Sequence, residues 1–465
     1  MLNTNCYPIS IEDILLKTAR KNGFRNDNQA GLFDHTCIRE ITNEFGEKIT
    51  RVDGEIPLNL EVKDRDRFLF ISYDQSILTH GIHKYPAKFF PELPRWIIKK
   101  YSKEGDIILD PFAGSGTTNV EALLLKRHSI GVDVDPFSRF LAKVKTTPLV
   151  KNEVEYAKES ILRSIVNYVP NKVADVDIPN FPYRDNWFQR EITLELAYLK
   201  KKILKLEATQ NTKNFFLICF SSILRTVSNA DDNCTRTVVR KKLNKKICPT
   251  DALKKFAEKI LLNAPKIIEF SQKCPKNINV SFPADQDARN LGCYSNEYFD
   301  LALTSPPYAN AVDYPRTHQL EIYWLGFENG SLTPLKRQHV GTESVLLEDY
   351  KELHKLYIKE ADRVISRIYA KDPRRAFIVY KYLVDIRQNF IEVYRVLKKG
   401  GRYVVVVGNN KIRGELFENW KYLMEIADLI GFDVECYWGS EIIKHFIKVP
   451  RSERINTDWI LVLKR

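Results

Sequence analysis

The chain predicts an α/β fold: a Rossmann-like, doubly wound parallel sheet interrupted by a mainly helical insertion. Three observations carry that prediction. Residues 106–110 form a short apolar run, followed by a glycine-containing turn, a helical stretch over 117–126 and a second run over 128–135 that ends in acids. Strand, glycine turn, helix and strand is the opening unit of a doubly wound sheet, whose site lies at the carboxyl ends of the strands. No glycine occurs between Gly131 and Gly292, while residues 161–169, 191–206 and 253–270 carry apolar side chains at helical spacing, so this stretch reads as helix. Finally, strand patterns resume at 278–282 and 299–304, and Lys398-Lys399-Gly400-Gly401-Arg402 leads into the apolar run 403–407, as expected of a buried parallel strand.

The remaining elements follow in order. Residues 1–75 mix short apolar runs with charges, including Phe68-Leu69-Phe70-Ile71, and form an N-terminal extension without an assigned role. A loop from Thr79 to Phe90, punctuated by Pro86, Pro91 and Pro94, precedes an amphipathic helix through Trp96-Ile97-Ile98. The catalytic core is expected over 76–150 and 278–465, with 151–277 as the helical insertion. A second segment, 309–374, containing Tyr323-Trp324-Leu325-Gly326 and Lys336-Arg337-Gln338-His339, also interrupts the core. The runs 432–437 and 459–463 complete the sheet as a closing pair.

At 465 residues the chain has length for two or three structural units and a sizeable core. Its formal charge of +13 favours a polyanionic partner, because Lys and Arg that neutralise phosphates release condensed counterions. The basic excess concentrates in the insertion at Arg236, Arg240, Lys241, Lys242, Lys245 and Lys246, read as a phosphate-tracking surface or as a solvated helix face. The eight cysteines include no C-x-x-C spacing, which argues for reduced thiols and against a zinc or redox pair. Neither a signal peptide nor a membrane-spanning run is visible, so a soluble, cytoplasmic protein is expected.

Two runs carry the chemistry. Asp110-Pro111-Phe112-Ala113-Gly114-Ser115-Gly116-Thr117 lacks the Lys-Ser or Lys-Thr of a P-loop and the full dinucleotide fingerprint. A ligand without phosphates fits it better: Gly114 and Gly116 let backbone approach an adenosyl group, and Asp133 or, as second choice, Asp135 can accept both ribose hydroxyls. Gly114 and Gly116 also admit a plain helix-packing role. The second run, Ser305-Pro306-Pro307-Tyr308, follows an apolar strand. The amino nitrogen of an aromatic base is a poor nucleophile because its lone pair is delocalised, so methyl transfer needs acceptors that pull it toward tetrahedral geometry. The Ser305 hydroxyl and the Pro306 carbonyl supply them, Pro306 and Pro307 fix the backbone, and Tyr308 offers a stacking face worth about 1–3 kcal/mol.

With these two motifs the sequence resembles the DNA amino-methyltransferases, over roughly residues 80–140 and 280–410. The resemblance implies S-adenosyl-L-methionine as cofactor, no metal, double-stranded DNA as substrate with base flipping, and compatibility with a partner restriction endonuclease. It also implies that Tyr85 and Pro86, within His83-Lys84-Tyr85-Pro86-Ala87-Lys88-Phe89, flank the methionine end of the cofactor, and that Asp287 meets the adenine ring. Serine as first residue of the catalytic loop is more typical of cytosine-N4 enzymes; Asp or Asn there is commoner in adenine-N6 enzymes. Two departures from the family pattern stand out: the large insertion precedes Asp287, and 309–374 is a second interruption, so DNA readout falls to either or both. Carbon-5 cytosine methylation is disfavoured, because no Pro-Cys pair occurs. Adenine-N6 methylation, RNA amino-group methylation and a non-catalytic nucleic-acid-binding role are the alternatives. No general base is assigned, since His318 and Asp313 fit a helix surface equally well.

Overall fold

The computed structural model describes residues 37–43, 46–170, 176–240, 245–309, 312–442 and 456–465. The strands, in chain order, are β1 Cys37–Thr42, β2 Lys48–Asp53, β3 Arg67–Ile71, β4 Ile107–Asp110, β5 His128–Gly131, β6 Val280–Ser281, β7 Phe299–Thr304, β8 Leu397–Gly408, β9 Asn410–Ile412, β10 Glu415–Phe417, β11 Asp433–Glu441 and β12 Thr457–Lys464. Ten of them form one sheet in the order β1-β2-β3-β11-β12-β8-β7-β4-β5-β6, and β9 pairs with β10 in a separate hairpin. The strands β6, β5, β4, β7 and β8 are parallel, whereas β12 runs antiparallel to both β8 and β11. From β4 the chain winds outward through β5 to β6, then returns to β7 on the other side of β4. That reversal opens a crevice at the carboxyl ends of β4 and β7, where both motif loops begin.

Side-chain alternation along β8 explains the layering. Val404 and Val406 face one core with Ile108, Leu301, Leu303 and Trp96, the last on the helix Glu92–Tyr101. Tyr403, Val405 and Val407 face the other, with Tyr382, Phe390 and Leu423 of the helices Pro373–Val396 and Asn419–Ile430. A strand covered on both faces must be apolar at successive positions, as β8 is.

Several expectations are corrected. The strand expected over 128–135 ends at Gly131, the one expected over 278–282 is only Val280–Ser281, and the helix expected to Lys126 is Thr117–Leu124. Lys126 has φ 62°, a left-handed conformation that an α-helix cannot continue through. The residues ahead of the core also acquire a place: β3 pairs in parallel with β11 and β2, and β1 closes on β2 antiparallel, so 37–71 lengthen the central sheet.

The insertion is built from the helices Lys151–Val166, Arg184–Trp187, Arg190–Leu204, Gln210–Leu224 and Asp251–Lys273. Its buried Phe215, Phe216, Phe220 and Phe256 share one core with Val120 and Phe137 of the nucleotide-type unit and with Leu320 and Trp324 of the second interruption. The insertion therefore braces the cleft from the side. Among the described residues, no helix is long and apolar enough to cross a membrane.

Candidate active site

The first wall of the crevice is the turn after β4. Gly114 (φ 49°) and Gly116 (φ 73°) both adopt left-handed conformations that favour glycine. The Gly114 N–H donates to Asp133 Oδ2 at 2.9 Å, and Lys145, only 1% exposed, donates from Nζ to the Ser115 carbonyl at 2.7 Å. The second wall is the loop after β7, where Thr304 Oγ1 donates to Asp110 at 2.7 Å and ties the two strand ends together. Between the walls lies a cleft of about 800 Å³.

Of the residues selected from sequence, Tyr85, Asp110, Phe112, Gly114, Thr117, Asp133, Asp287, Ser305 and Pro307 line this cleft; Pro86, Gly116, Pro306 and Tyr308 do not. Gly116 instead opens the helix Thr117–Leu124 against Ala142, where a Cβ would stand 2.7 Å from the Ala142 Cβ. This is the helix-packing role. Pro306 is buried and Pro86 half-buried. Tyr308 is half-buried, with its hydroxyl donating to Asp458 at 2.6 Å and its ring against Gly408. Burial pushes the Asp458 carboxyl up to about 6, although the Tyr308 bond opposes the shift.

Asp133 and Asp135 divide their work. Asp135 accepts the Phe137 and Ser138 N–H groups as N-cap of the helix Pro136–Lys145, a role typical of Asp at a helix start. Asp133 keeps to the cleft, with burial first and the charge of Asp135 second pushing its carboxyl up to about 6. Asp110 is also raised to about 6, chiefly by burial. The Asp287 carboxylate is occupied by Arg289, with Nη2 at 2.6 Å, so it reaches the cleft as one member of an ion pair.

Residues the sequence did not single out complete the lining: Tyr314, His339 and Val340 from the second interruption. Tyr85 stacks on Tyr314 at 5.9 Å and hydrogen-bonds Ser138 at 2.9 Å. His318 is 2% exposed, wedged between Tyr85 and Phe137, so of its two readings the helix-surface one does not hold. Both His318 and His339 stand 3.9 Å from Asp135 Oδ2. Asp313 caps the short helix Tyr314–Thr317 and pairs with Lys336 at 3.1 Å. His80 and His83 are held neutral near physiological pH, with burial pushing them down to about 4 and about 3. They anchor the loop that carries Tyr85 into the crevice.

The basic cluster is corrected in part. Arg240 pairs with Asp231 at 3.2 Å, and Lys245 donates to the Arg225 and Ala230 carbonyls and pairs with Asp232 at 3.0 Å. Arg236 reaches Glu343 at 3.7 Å, Lys246 is exposed, and Lys241 and Lys242 lie outside the described residues. Acids nine and thirteen residues away in sequence neutralise cations that look free when charges are counted along the chain.

Comparisons with known proteins point the same way. A family model described as DNA methylase matches residues 25–143, and one described as RMKL-like, methyltransferase domain, matches 98–265. The Type II methyltransferase M.MvaI of Kocuria varians is 26% identical over 77% of this chain and 82% of its own length. M.BsoBI of Geobacillus stearothermophilus is 26% identical over 84% of this chain and 86% of its own. M.MjaII of Methanocaldococcus jannaschii is 43% identical over 18% of this chain and 15% of its own length. A solved S-adenosylmethionine-dependent methyltransferase from Methanosarcina mazei aligns over 82% of this chain and 98% of its own at 12% identity and a TM-score of 0.28; the strand order above carries the fold.

The family's methyl donor is S-adenosyl-L-methionine, and the residues present fit it. Thr117 Oγ1, Asp135 Oδ2 and His339 Nε2 are buried polar atoms without hydrogen-bond partners on residues that line the cleft, and buried polar groups require partners. A nucleoside with free hydroxyls and a zwitterionic tail offers donors and acceptors to such atoms, while Gly114 leaves backbone open to close approach. With its sheet, its cleft and its relatives in agreement, this chain is similar to the DNA amino-methyltransferases, and the comparisons support an S-adenosylmethionine-dependent DNA methyltransferase.

Proposed function

We propose that the protein transfers a methyl group to the exocyclic N4 of cytosine in duplex DNA, after the base is flipped out of the helix. The single observation that carries the reading is that Ser305 and Pro307 line the same cleft as Gly114, Thr117 and Asp133, so one space serves donor and acceptor. Serine at position 305 supports cytosine over adenine through the family resemblance. Tyr85, Asp110, Phe112, Gly114, Thr117, Asp133 and Asp287 hold the cofactor, with Asp133 accepting the ribose hydroxyls. Bound there, S-adenosyl-L-methionine supplies a methyl group on a positively charged sulfur, already activated for displacement.

The protein's own work is positioning and polarisation. Ser305 Oγ and the Pro306 carbonyl accept the two amino hydrogens, returning the nitrogen lone pair toward the incoming carbon. The nitrogen so presented would take the methyl group that the cofactor supplies, and its extra proton would leave to water. Tyr308, fixed at its hydroxyl by Asp458, presents a ring for the extruded base. The insertion over 151–277 is the candidate region for target recognition. The relatives' names, Type II methyltransferase, support a place in a restriction-modification system, in the cytoplasm and beside a partner endonuclease.

Mass spectrometry of nucleosides from duplex DNA treated with the protein and methyl-labelled cofactor tests this. N4-methylcytosine is expected, with Ser305→Ala lowering kcat by about 100- to 1,000-fold, the scale on which removing one polarising partner acts. Cofactor affinity should hold in that variant. N6-methyladenine would move the reaction to adenine, and label in RNA alone would overturn the duplex-DNA reading.

A further inference from the structure

A second cleft, of about 720 Å³, adjoins the first and shares Tyr314, His339 and Val340 with it. On its lining, Lys336 is balanced by Asp313. Glu343 is not balanced in this way. Its Oε1 meets Arg375 Nη1 at 2.7 Å and Arg236 Nη2 at 3.7 Å, and its backbone carbonyl accepts from Arg374 Nη2 at 2.5 Å. Two guanidiniums face the carboxylate and a third holds the same residue's backbone carbonyl, leaving an excess of positive charge beside the second cleft. They come from separate stretches: Arg236 from the insertion, and Arg374 and Arg375 from the first turn of the helix Pro373–Val396. The carboxylate is 27% exposed and sits below its usual range, since Arg375, with Arg236 and Arg374, outweighs the burial that pushes it up.

We propose that Arg236, Arg374 and Arg375 form a binding subsite for a DNA backbone phosphate at the second cleft, beside the main one, with the Glu343 carboxylate holding the phosphate's place in the free protein. The proposal rests on the duplex-DNA reading and adds a substrate-binding site to it. Guanidiniums form paired hydrogen bonds to carboxylate and phosphate alike, so a phosphate can take over contacts that Glu343 keeps oriented. The arrangement also joins the two interruptions of the core at one ligand. A nucleotide cannot leave the stack without its phosphates moving, and cations already aligned beside the cleft lower the cost of holding the displaced backbone.

The test is fluorescence anisotropy of a short labelled duplex with the full-length protein across a salt series, for the wild type and for Arg236→Gln, Arg375→Gln and Glu343→Gln. Cofactor affinity by calorimetry and thermal melting are followed in parallel. Each arginine variant should weaken DNA binding about five- to tenfold and flatten the slope of log K against log salt by up to about one. Glu343→Gln should act in the opposite direction, tightening binding severalfold and steepening the slope, because it removes a competing anion and keeps its shape. Cofactor affinity should not move in any of them. If Glu343→Gln weakens binding as the arginine variants do, or if all variants retain the wild-type slope while the protein still methylates DNA, the cluster is a structural staple and the subsite falls alone. If the wild type binds cofactor but not duplex DNA, the underlying reading falls and takes the subsite with it.

Discussion

The two walls of the cleft are built in different ways. The glycine-turn part of the cofactor wall comes from one stretch, 107–145, and is tied by bonds of short reach: Gly114 to Asp133 across 19 residues and Lys145 to Ser115 across 30. The acceptor wall is assembled from afar. Thr304 bonds Asp110 across 194 residues, and Tyr308 bonds Asp458 across 150. A wall closed by local contacts is complete once its strand-turn-helix unit folds, whereas the acceptor wall waits on β12 and the second interruption. The same split puts the cofactor site under the control of a few backbone positions and the acceptor site under the control of distant side chains.

The largest expected effect breaks the first half of that comparison. A Cβ added at Gly116 would stand 2.7 Å from the Ala142 Cβ, and the residue holds φ 73°, so Gly116→Ala adds left-handed strain of about 1–2 kcal/mol to overpacking of about 1–3 kcal/mol. It touches no cleft surface, yet it moves the start of the helix Thr117–Leu124 and with it Thr117. Denaturant unfolding should show a loss of at least about 2 kcal/mol, and calorimetry a cofactor affinity reduced in parallel. A variant that lost stability but bound cofactor as well as the wild type would show that the wall is not set by this local packing.

What was legible in the sequence follows the same division. The glycine turn, the acid at 133 and the strand before Ser305 could be read because their meaning lies within about thirty residues. The partners of the acceptor wall could not. Nothing near Asp458 marks it as the anchor of Tyr308, and nothing near Glu343 marks it as a meeting point for Arg236 and Arg375. A helix-surface role for His318 stayed open because the rings that bury it, Tyr85 and Phe137, are remote. The extension before residue 75 carried an apolar run whose purpose appears only when β3 meets β11, more than 360 residues later. Charge counting along 236–246 failed for a related reason: Asp231 and Asp232 precede the basic run and neutralise part of it from the side.

An intermediate effect tests whether the cofactor wall works through its acid. Under the proposed function the Asp133 carboxyl, raised to about 6 by burial and by Asp135, accepts from both ribose hydroxyls, which needs both of its oxygens free of a proton. As pH falls through about 6 it gains a proton, an acceptor becomes a donor, and cofactor affinity should drop toward a limit of about tenfold per pH unit. Above that pH the affinity should be level. Asp133→Asn should bind cofactor at least about tenfold more weakly at pH 8 and lose the acid-side decline, as read by calorimetry between pH 5 and 8. If Asp133→Asn keeps the full decline, the titrating group lies elsewhere in the cleft, with Asp110 the next to replace.

The smallest effect separates the two uses of Tyr308. Under the proposed function its ring stacks on the extruded base, and its hydroxyl is the tether to Asp458, so Tyr308→Phe removes the tether and Tyr308→Ala removes both. Burial already pushes Asp458 up to about 6, so without its partner this carboxyl can take a proton, and the cost of Tyr308→Phe should stay near 1 kcal/mol. Steady-state kinetics should then show kcat within about threefold of wild type for Tyr308→Phe, while Tyr308→Ala loses a stacking contact worth about 1–3 kcal/mol and raises the KM for DNA. Equal losses in the two variants would mean that the long-range bond to β12, rather than the ring, makes the acceptor wall competent. In that case the wall's reliance on distant partners would reach the reacting base itself, and Asp458→Asn, which keeps an acceptor for the hydroxyl, should restore what Tyr308→Phe cannot.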